Sequence, residues 1–265
     1  LICVKELPLK ENFEIDLEMT KYQFMKDKPK CVCCIHVSNV TGYVLPVEKV
    51  FSLAKAYNAI TVMDAAQSFG LVDIDVKTCK ADFIVFAGHK TLYGPLGASG
   101  FIDHSTVELE PFIVGGTGSE SLKLDMPKSK PEKYEAASKD IVAIAGMHEA
   151  LSILNQNENF EIEKTLTKYA VTQLKALKNI ILYAPENVEE HIGVISFNLK
   201  GYKSEDVGII LNEDFDIAVR TGYHCAPYIH KYLADEKYLG TVRIGLGRYN
   251  TEEDIDQLRS EEHTS

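Results

Sequence analysis

No stretch of this 265-residue chain stays apolar for the roughly eighteen residues that a membrane-crossing helix needs. No secretory leader is expected either, since Leu1-Ile2-Cys3-Val4 is followed at once by Lys5 and Glu6. Positive charge is in short supply: 28 Lys and Arg stand against 39 Asp and Glu, a net charge of −11, which argues against nucleic acid or an anionic membrane surface as a partner. The six cysteines lack the regular spacing of a secreted disulfide framework, which a chain of this length does not need. Cys31, Cys33 and Cys34 have no second Cys/His pair at zinc-ligand spacing. In a strand Cys33 and Cys34 fall on opposite faces, so buried, inert thiols and no metal are expected. These absences leave a soluble, cytoplasmic protein with one large or two modest domains.

The ends also lack something. There is no initiator Met, and residues 259–265, Arg-Ser-Glu-Glu-His-Thr-Ser, back-translate to a common sequencing-adapter oligonucleotide. They read as an artefact tail on an incomplete gene model.

Along the chain, short apolar runs at 31–37, 60–63, 82–86 and 98–102 read as strands, with a helix opened by Pro46 between the first two. Residues 1–30 are polar, with faint helical spacing from Met19 to Met25. Alternating strands and helices predict an α/β fold whose mostly parallel sheet is covered by helices and binds ligands at the carboxyl ends of its strands. Residues 110–137 form an irregular, glycine-containing crossing. Helices are expected at 141–156, 160–177 and 204–211, strands at 191–199, 217–221 and 242–246, and a last helix from Thr251. The expected domains are 1–150, a large ligand-binding unit, and 151–258, a smaller C-terminal α+β unit.

Two strand ends carry the chemistry. Phe83-Ile84-Val85-Phe86 runs into Ala87-Gly88-His89-Lys90, and Thr61-Val62-Met63 runs into Asp64. A lysine at the end of a buried strand is costly unless its ammonium is paired, neutralised or used covalently, and such a position suits a Schiff-base lysine. An ordinary lysine there would snorkel to the surface, and Asp64 could simply cap the turn that follows it. Together, however, an amine and a carboxylate are what pyridoxal phosphate needs: the amine for its aldehyde, the acid to hold its pyridinium protonated.

The motifs His36-Val37-Ser38-Asn39-Val40-Thr41-Gly42, Asp64-Ala65-Ala66-Gln67, Gly88-His89-Lys90 with Tyr93-Gly94-Pro95, Gly115-Gly116-Thr117 and Arg220-Thr221-Gly222-Tyr223-His224-Cys225-Ala226-Pro227 occur in the order found in class V aminotransferases. The chain resembles that family, and within it the cysteine desulfurases and selenocysteine lyases. The resemblance implies a fold type I large domain lacking its N-terminal part, with pyridoxal 5'-phosphate as cofactor. It makes Lys90 the catalytic lysine and Asp64 the pyridinium partner. Gln67 and Asn39 would contact the cofactor's phenolic oxygen, and His89 its phosphate. Thr117 would reach the phosphate of a second subunit's cofactor, which implies a homodimer with shared sites. Arg243, in Thr241-Val-Arg-Ile-Gly, would bind the substrate carboxylate with help from Arg220, because a carboxylate favours bidentate Arg.

Cys225 decides the substrate reading. A nucleophilic thiol must be accessible and partly ionised, and neighbouring Arg220 and His224 would favour the thiolate. The implied reaction converts L-cysteine to L-alanine, with the sulfur left as a persulfide on Cys225 for a sulfur-acceptor protein. Three departures oppose it. Ala87 stands where the family has a phosphate-binding hydroxyl, Glu135-Ala-Ala-Ser-Lys-Asp140 replaces a Glu-(Ala/Ser)-Gly-Thr-x-Asn motif, and the N-terminal phosphate loop is absent. The alternatives are a selenocysteine lyase or another class V lyase or aminotransferase, and an inactive fragment or non-catalytic paralogue.

Overall fold

The computed structural model describes residues 2–120 and 122–261. Its first half builds one four-stranded sheet. Helix α1 (Leu17–Asp27) starts at Asp16, whose side chain accepts from the Met19 amide and so satisfies one of the donors a helix start leaves open. Then come β1 (Cys31–Ile35), α2 (Val47–Lys55), β2 (Ile60–Asp64), the single turn α3 (Val76–Cys79), β3 (Phe83–Ala87) and β4 (Ser99–Asp103). The strands lie in the order β1-β2-β3-β4. The first three are parallel and β4 returns antiparallel to β3. The sheet is thus mostly parallel, as expected, with a direction change at the edge that periodicity cannot encode.

One face of this sheet is closed. Val32, Cys34, Met63 and Ile84 join Phe24 of α1 and Val50, Phe51 and Ala54 of α2 in a continuous core. On the other face, Cys33, Val62 and Phe83 form one row of the register, and Ile35, Asp64 and Val85 the next, with Phe101 opposite Val85. Cys31 and Cys33 are exposed there and only Cys34 of the three is buried, which corrects the expectation of three buried thiols. The alternation does separate Cys33 from Cys34, but it leaves one of them on the uncovered side.

The second half follows α4 (Ile141–Ile153). It comprises α5 (Gln156–Lys175), β5 (Ile180–Tyr183), β6 (Val194–Leu199), α6 (Ser204–Phe215), β7 (Arg220–Gly222), the single turn α7 (His230–Leu233), β8 (Thr241–Gly245) and α8 (Glu252–Glu261). Its sheet has the order β5-β6-β8-β7 and every pairing is antiparallel. Helices α5, α6 and α8 contribute Leu166, Leu211 and Leu258 to the core, against Ile195, Phe197 and Val242 of the sheet. The 141–156 helix ends early, and Asn155, capping the Glu158 amide, starts the next one. Of the expected artefact tail, residues 262–265 lie outside the described residues, while Arg259 hydrogen-bonds Gln173.

The two halves meet where β1 runs out. Gly42 has φ +65°, and a Cβ there would come within 2.1 Å of the Val194 carbonyl oxygen, so only glycine lets the loop after β1 lie against the second sheet. Ile192 donates to the Gly42 carbonyl at 3.0 Å, and Ser196 Oγ donates to that of Val40 at 2.5 Å.

Candidate active site

A cleft of ≈ 340 Å³ opens at this junction. Gln67, Lys90 and Tyr93 line it from the loops that follow β2 and β3, and Glu163, Gly193 and Arg243 line it from the second half. The convergence follows from topology, because parallel strands put their outgoing loops on one edge. Lys90 is held by a loop folded back on itself: Gly94 donates to the Gly88 carbonyl at 2.8 Å and Gly88 to that of Ala98 at 2.9 Å. A Cβ on Gly88 would sit 2.3 Å from the Ala98 carbonyl oxygen. Lys90 itself is exposed, which corrects the premise of a buried lysine: it stands past the strand end, on the cleft wall.

Asp64 closes β2 between Ile35 and Val85. Its Oδ1 accepts from the Ala66 amide at 2.9 Å, so it does cap the turn, yet it stays exposed. Asn39 lies elsewhere than on the cleft lining. Its Nδ2 donates to the His224 carbonyl at 2.6 Å and its own carbonyl accepts from Arg243 Nη1 at 2.8 Å. His89 is exposed. Thr117 belongs to a separate loop, where its hydroxyl meets Ser119 Oγ at 3.0 Å, with Phe112, Ile113, Val114 and Leu124 exposed nearby in sequence.

Arg243 on β8 faces Arg220 on β7 across the antiparallel pair. Burial first, and then the Arg220 charge, lower its affinity for a proton, whereas Cys225 acts in the opposite direction. One of these two guanidinium groups, Arg243, thus lies beside an exposed thiol. His224 is not a third cation. Burial, with Arg243 next in weight, pushes its pKa down to about 4, and its Nε2 meets Thr241 Oγ1 at 2.9 Å. The expectation that His224 acts as a cation beside Cys225 is therefore corrected.

Tyr93 and Glu163 form a pair that no sequence motif marks. The Tyr93 hydroxyl donates to Glu163 Oε1 at 3.3 Å and accepts from the Arg248 amide at 3.3 Å. Burial pushes the Glu163 pKa up to about 7. The available signal was an acid on the apolar face of α5, in the row Asn159, Glu163, Leu166, Thr167, Ala170.

The aminotransferase class-V family model matches residues 2–258, and the chain belongs to that family, whose members are pyridoxal-phosphate enzymes. Among similar proteins is a cysteine desulfurase of Escherichia coli O7:K1, 34% identical over 263 residues, covering 96% of this chain and 63% of the relative. A probable cysteine desulfurase of Pyrococcus abyssi is 35% identical over 236 residues, covering 86% of this chain and 57% of the relative. The apo structure of the cysteine desulfurase from Thermococcus onnurineus NA1 superposes with a TM-score of 0.84 at 30% identity, over 97% of this chain and 64% of that one. The chain therefore spans less than two thirds of the length of these relatives.

The donor set fits the family's cofactor in kind: an amine (Lys90), a carboxamide (Gln67) and a guanidinium (Arg243) converge on one cleft, with a carboxylate at the adjoining strand end. Pyridoxal phosphate bound there would supply an electron sink for charge developing at a substrate carbon.

Proposed function

We propose that the protein is a pyridoxal-phosphate-dependent cysteine desulfurase that converts L-cysteine to L-alanine and takes the sulfur onto Cys225 as a persulfide. The observation that carries this is the placement of an exposed thiol, Cys225, beside Arg243, itself on the wall of the cleft that holds Lys90. The names of the similar proteins support the same reading. Lys90 would take the aldehyde and then carry a proton from the substrate α-carbon. Asp64 would keep the pyridinium charged, with Gln67, Asn39 and His89 serving the ring and phosphate. Arg243, with Arg220, would fix the substrate carboxylate through guanidinium geometry. The Cys225 thiolate attacks the substrate sulfur, the carbon–sulfur bond breaks, its electron pair stays on the carbon fragment, and protonation yields alanine.

The reading extends to a cytoplasmic homodimer with shared sites, in which Thr117 serves the neighbouring subunit's cofactor, and to a sulfur-acceptor protein. The exposed apolar side chains of the 112–124 loop, together with Ile141, Val142 and Ile153 of α4, suit burial against a second copy. Among the described residues no helix is long and apolar enough to cross a membrane.

The test is mass spectrometry of the protein after exposure to pyridoxal phosphate and L-cysteine, with alanine measured in parallel. One added sulfur on the Cys225 peptide and stoichiometric alanine are expected. Sulfur found only on Cys31, Cys33 or Cys34, or sulfide released without a Cys225 adduct, overturns the assignment.

A further inference from the structure

The loop carrying Cys225 is held in a conformation that its residues do not favour. Gly222 has φ +94°, His224 +49° and Cys225 +59°. Two successive non-glycine residues in the left-handed region persist only where the surroundings over-determine them. Three anchors do so. Ala226 donates to the Tyr223 carbonyl at 2.9 Å, His224 binds Thr241, and Asn39 donates to the His224 carbonyl.

Beneath these lies a pair that no step above uses. His230 and Asp235 are 4% and 0% exposed. His230 Nδ1 lies 2.5 Å from Asp235 Oδ2, and Nε2 lies 3.2 Å from the Tyr223 carbonyl oxygen. A carbonyl can only accept, so Nε2 must carry a hydrogen, and the Nδ1–Oδ2 contact needs another. Asp235 Oδ1 has no hydrogen-bond partner. A buried polar pair with one oxygen left unpaired is poor value for stability compared with apolar packing; what it supplies is a directional hydrogen bond to one carbonyl. The groups around the pair are Tyr223 edge-on at 5.0 Å and His224 at 6.2 Å between ring centres, with Tyr183 and Tyr238 on the Asp235 side. Lys231 turns away onto Tyr228.

We propose that His230 and Asp235 are positioning residues: a buried clamp on the Tyr223 carbonyl that sets the strained turn presenting Cys225 to its sulfur donor. This rests on Cys225 being the sulfur-accepting nucleophile, but the clamp itself can be read without that reaction. Hydrogen exchange of the 222–229 segment is compared in the wild type, Asp235→Asn, His230→Ala and His230→Gln, with β6 and β8 as internal controls of folding. Asp235→Asn keeps an acceptor for Nδ1 but replaces the carboxyl group by a carboxamide. His230→Gln keeps a donor for Tyr223.

The Ala226 amide is expected to exchange at least tenfold faster in Asp235→Asn and His230→Ala, with β6 and β8 unchanged and partial rescue in His230→Gln. Persulfide formation on Cys225 should fall about tenfold in the same order, while the cofactor's absorbance on binding stays as in the wild type. Unchanged Ala226 exchange overturns the clamp, as does faster exchange with an undiminished persulfide rate. If β8 protection is also lost in His230→Ala, the Asp235→Asn and His230→Gln pair decides by the same two readouts. A wild type that forms no persulfide refutes the desulfurase reading instead, and the exchange data then judge the clamp alone.

Discussion

The two sheets solve burial in opposite ways. The antiparallel sheet is covered on both sides along β6: Ile195 and Phe197 face the helices, while Ser196 and Asn198 are fully buried on the other face. There Ser196 Oγ donates to the Val40 carbonyl and Asn198 Nδ2 to the Tyr183 hydroxyl and the Gly240 carbonyl, with Asn198 Oδ1 left unpaired. The parallel sheet is apolar on both faces, the pattern of strands made to be covered twice, yet Ile35, Val85 and Phe101 remain 39–40% exposed. Polar residues buried with partners cost little, whereas apolar residues left in water forfeit their transfer energy. Asp64 sits in that open row, so any group that covers it moves the Asp64 carboxylate into a low-dielectric setting, where its pull on a cationic ring strengthens. The half bearing the lysine is thus an open bench, and the half bearing the thiol a finished frame.

The largest effects should separate these halves. Lys90→Ala should abolish every turnover and every borohydride-stable bond between cofactor and protein. Peptide mapping of the reduced wild type should place the label on Lys90, and a label on another lysine breaks the assignment. Cys225→Ser lies in the other half and should act on one step only. Cofactor uptake, read by its absorbance, should remain, while sulfur transfer falls below detection, because a hydroxyl is a far weaker nucleophile toward sulfur than a thiolate. If both variants lose cofactor equally, the division of labour is wrong.

Asp64→Asn sharpens the contrast within the parallel half. The amide oxygen can still accept from the Ala66 amide, so the turn should survive and only the charge is lost. We expect a fall of several powers of ten in turnover, each tenfold being about 1.4 kcal/mol of barrier, with unfolding temperature nearly unchanged. Near-full activity would reduce Asp64 to its observed turn-capping role.

How much of this was readable beforehand depended on how local the cause was. β1, β2 and β3 were legible because each is a short apolar run between polar breaks, and α2 because Pro46 and the spacing of Val47, Val50 and Ala54 mark it. The direction of β4 was not legible, since strand pairing is decided by connections that alternation does not encode. β5 was missed entirely: Ile180–Tyr183 is four residues long and is defined by its partner β6. The same divide runs through the site. Lys90, Asp64 and Cys225 stand out within their own motifs. Asn39 also donates to the His224 carbonyl, a contact 185 residues away that its own motif does not announce. Glu163 meets Tyr93 across 70 residues, and His230 gains its meaning only when the chain brings Asp235 and Tyr223 to its two nitrogens.

The smallest effect tests the seam between the halves. Glu163 is 4% exposed, and burial raises its pKa to about 7 from an ordinary 4.5. The folded protein therefore holds a proton on this group across a pH range in which the unfolded chain has released it. Because the native state binds more protons there, stability must fall as pH rises from about 4.5 to about 7 and level off beyond. At about 1.4 kcal/mol per unit, the total is on the order of 3 kcal/mol. Glu163→Gln keeps an oxygen for the Tyr93 hydroxyl and cannot ionise, so it should match the wild type near pH 4.5 and exceed it in stability above pH 7. Tyr93→Phe should lose the bonds to Glu163 and to the Arg248 amide, each worth about 1 kcal/mol, while leaving the pH slope in place. Urea denaturation of the three proteins at several pH values measures all of this. A slope that survives in Glu163→Gln would assign the titration to another group and leave the Tyr93 contact as simple packing between the lysine loop and α5.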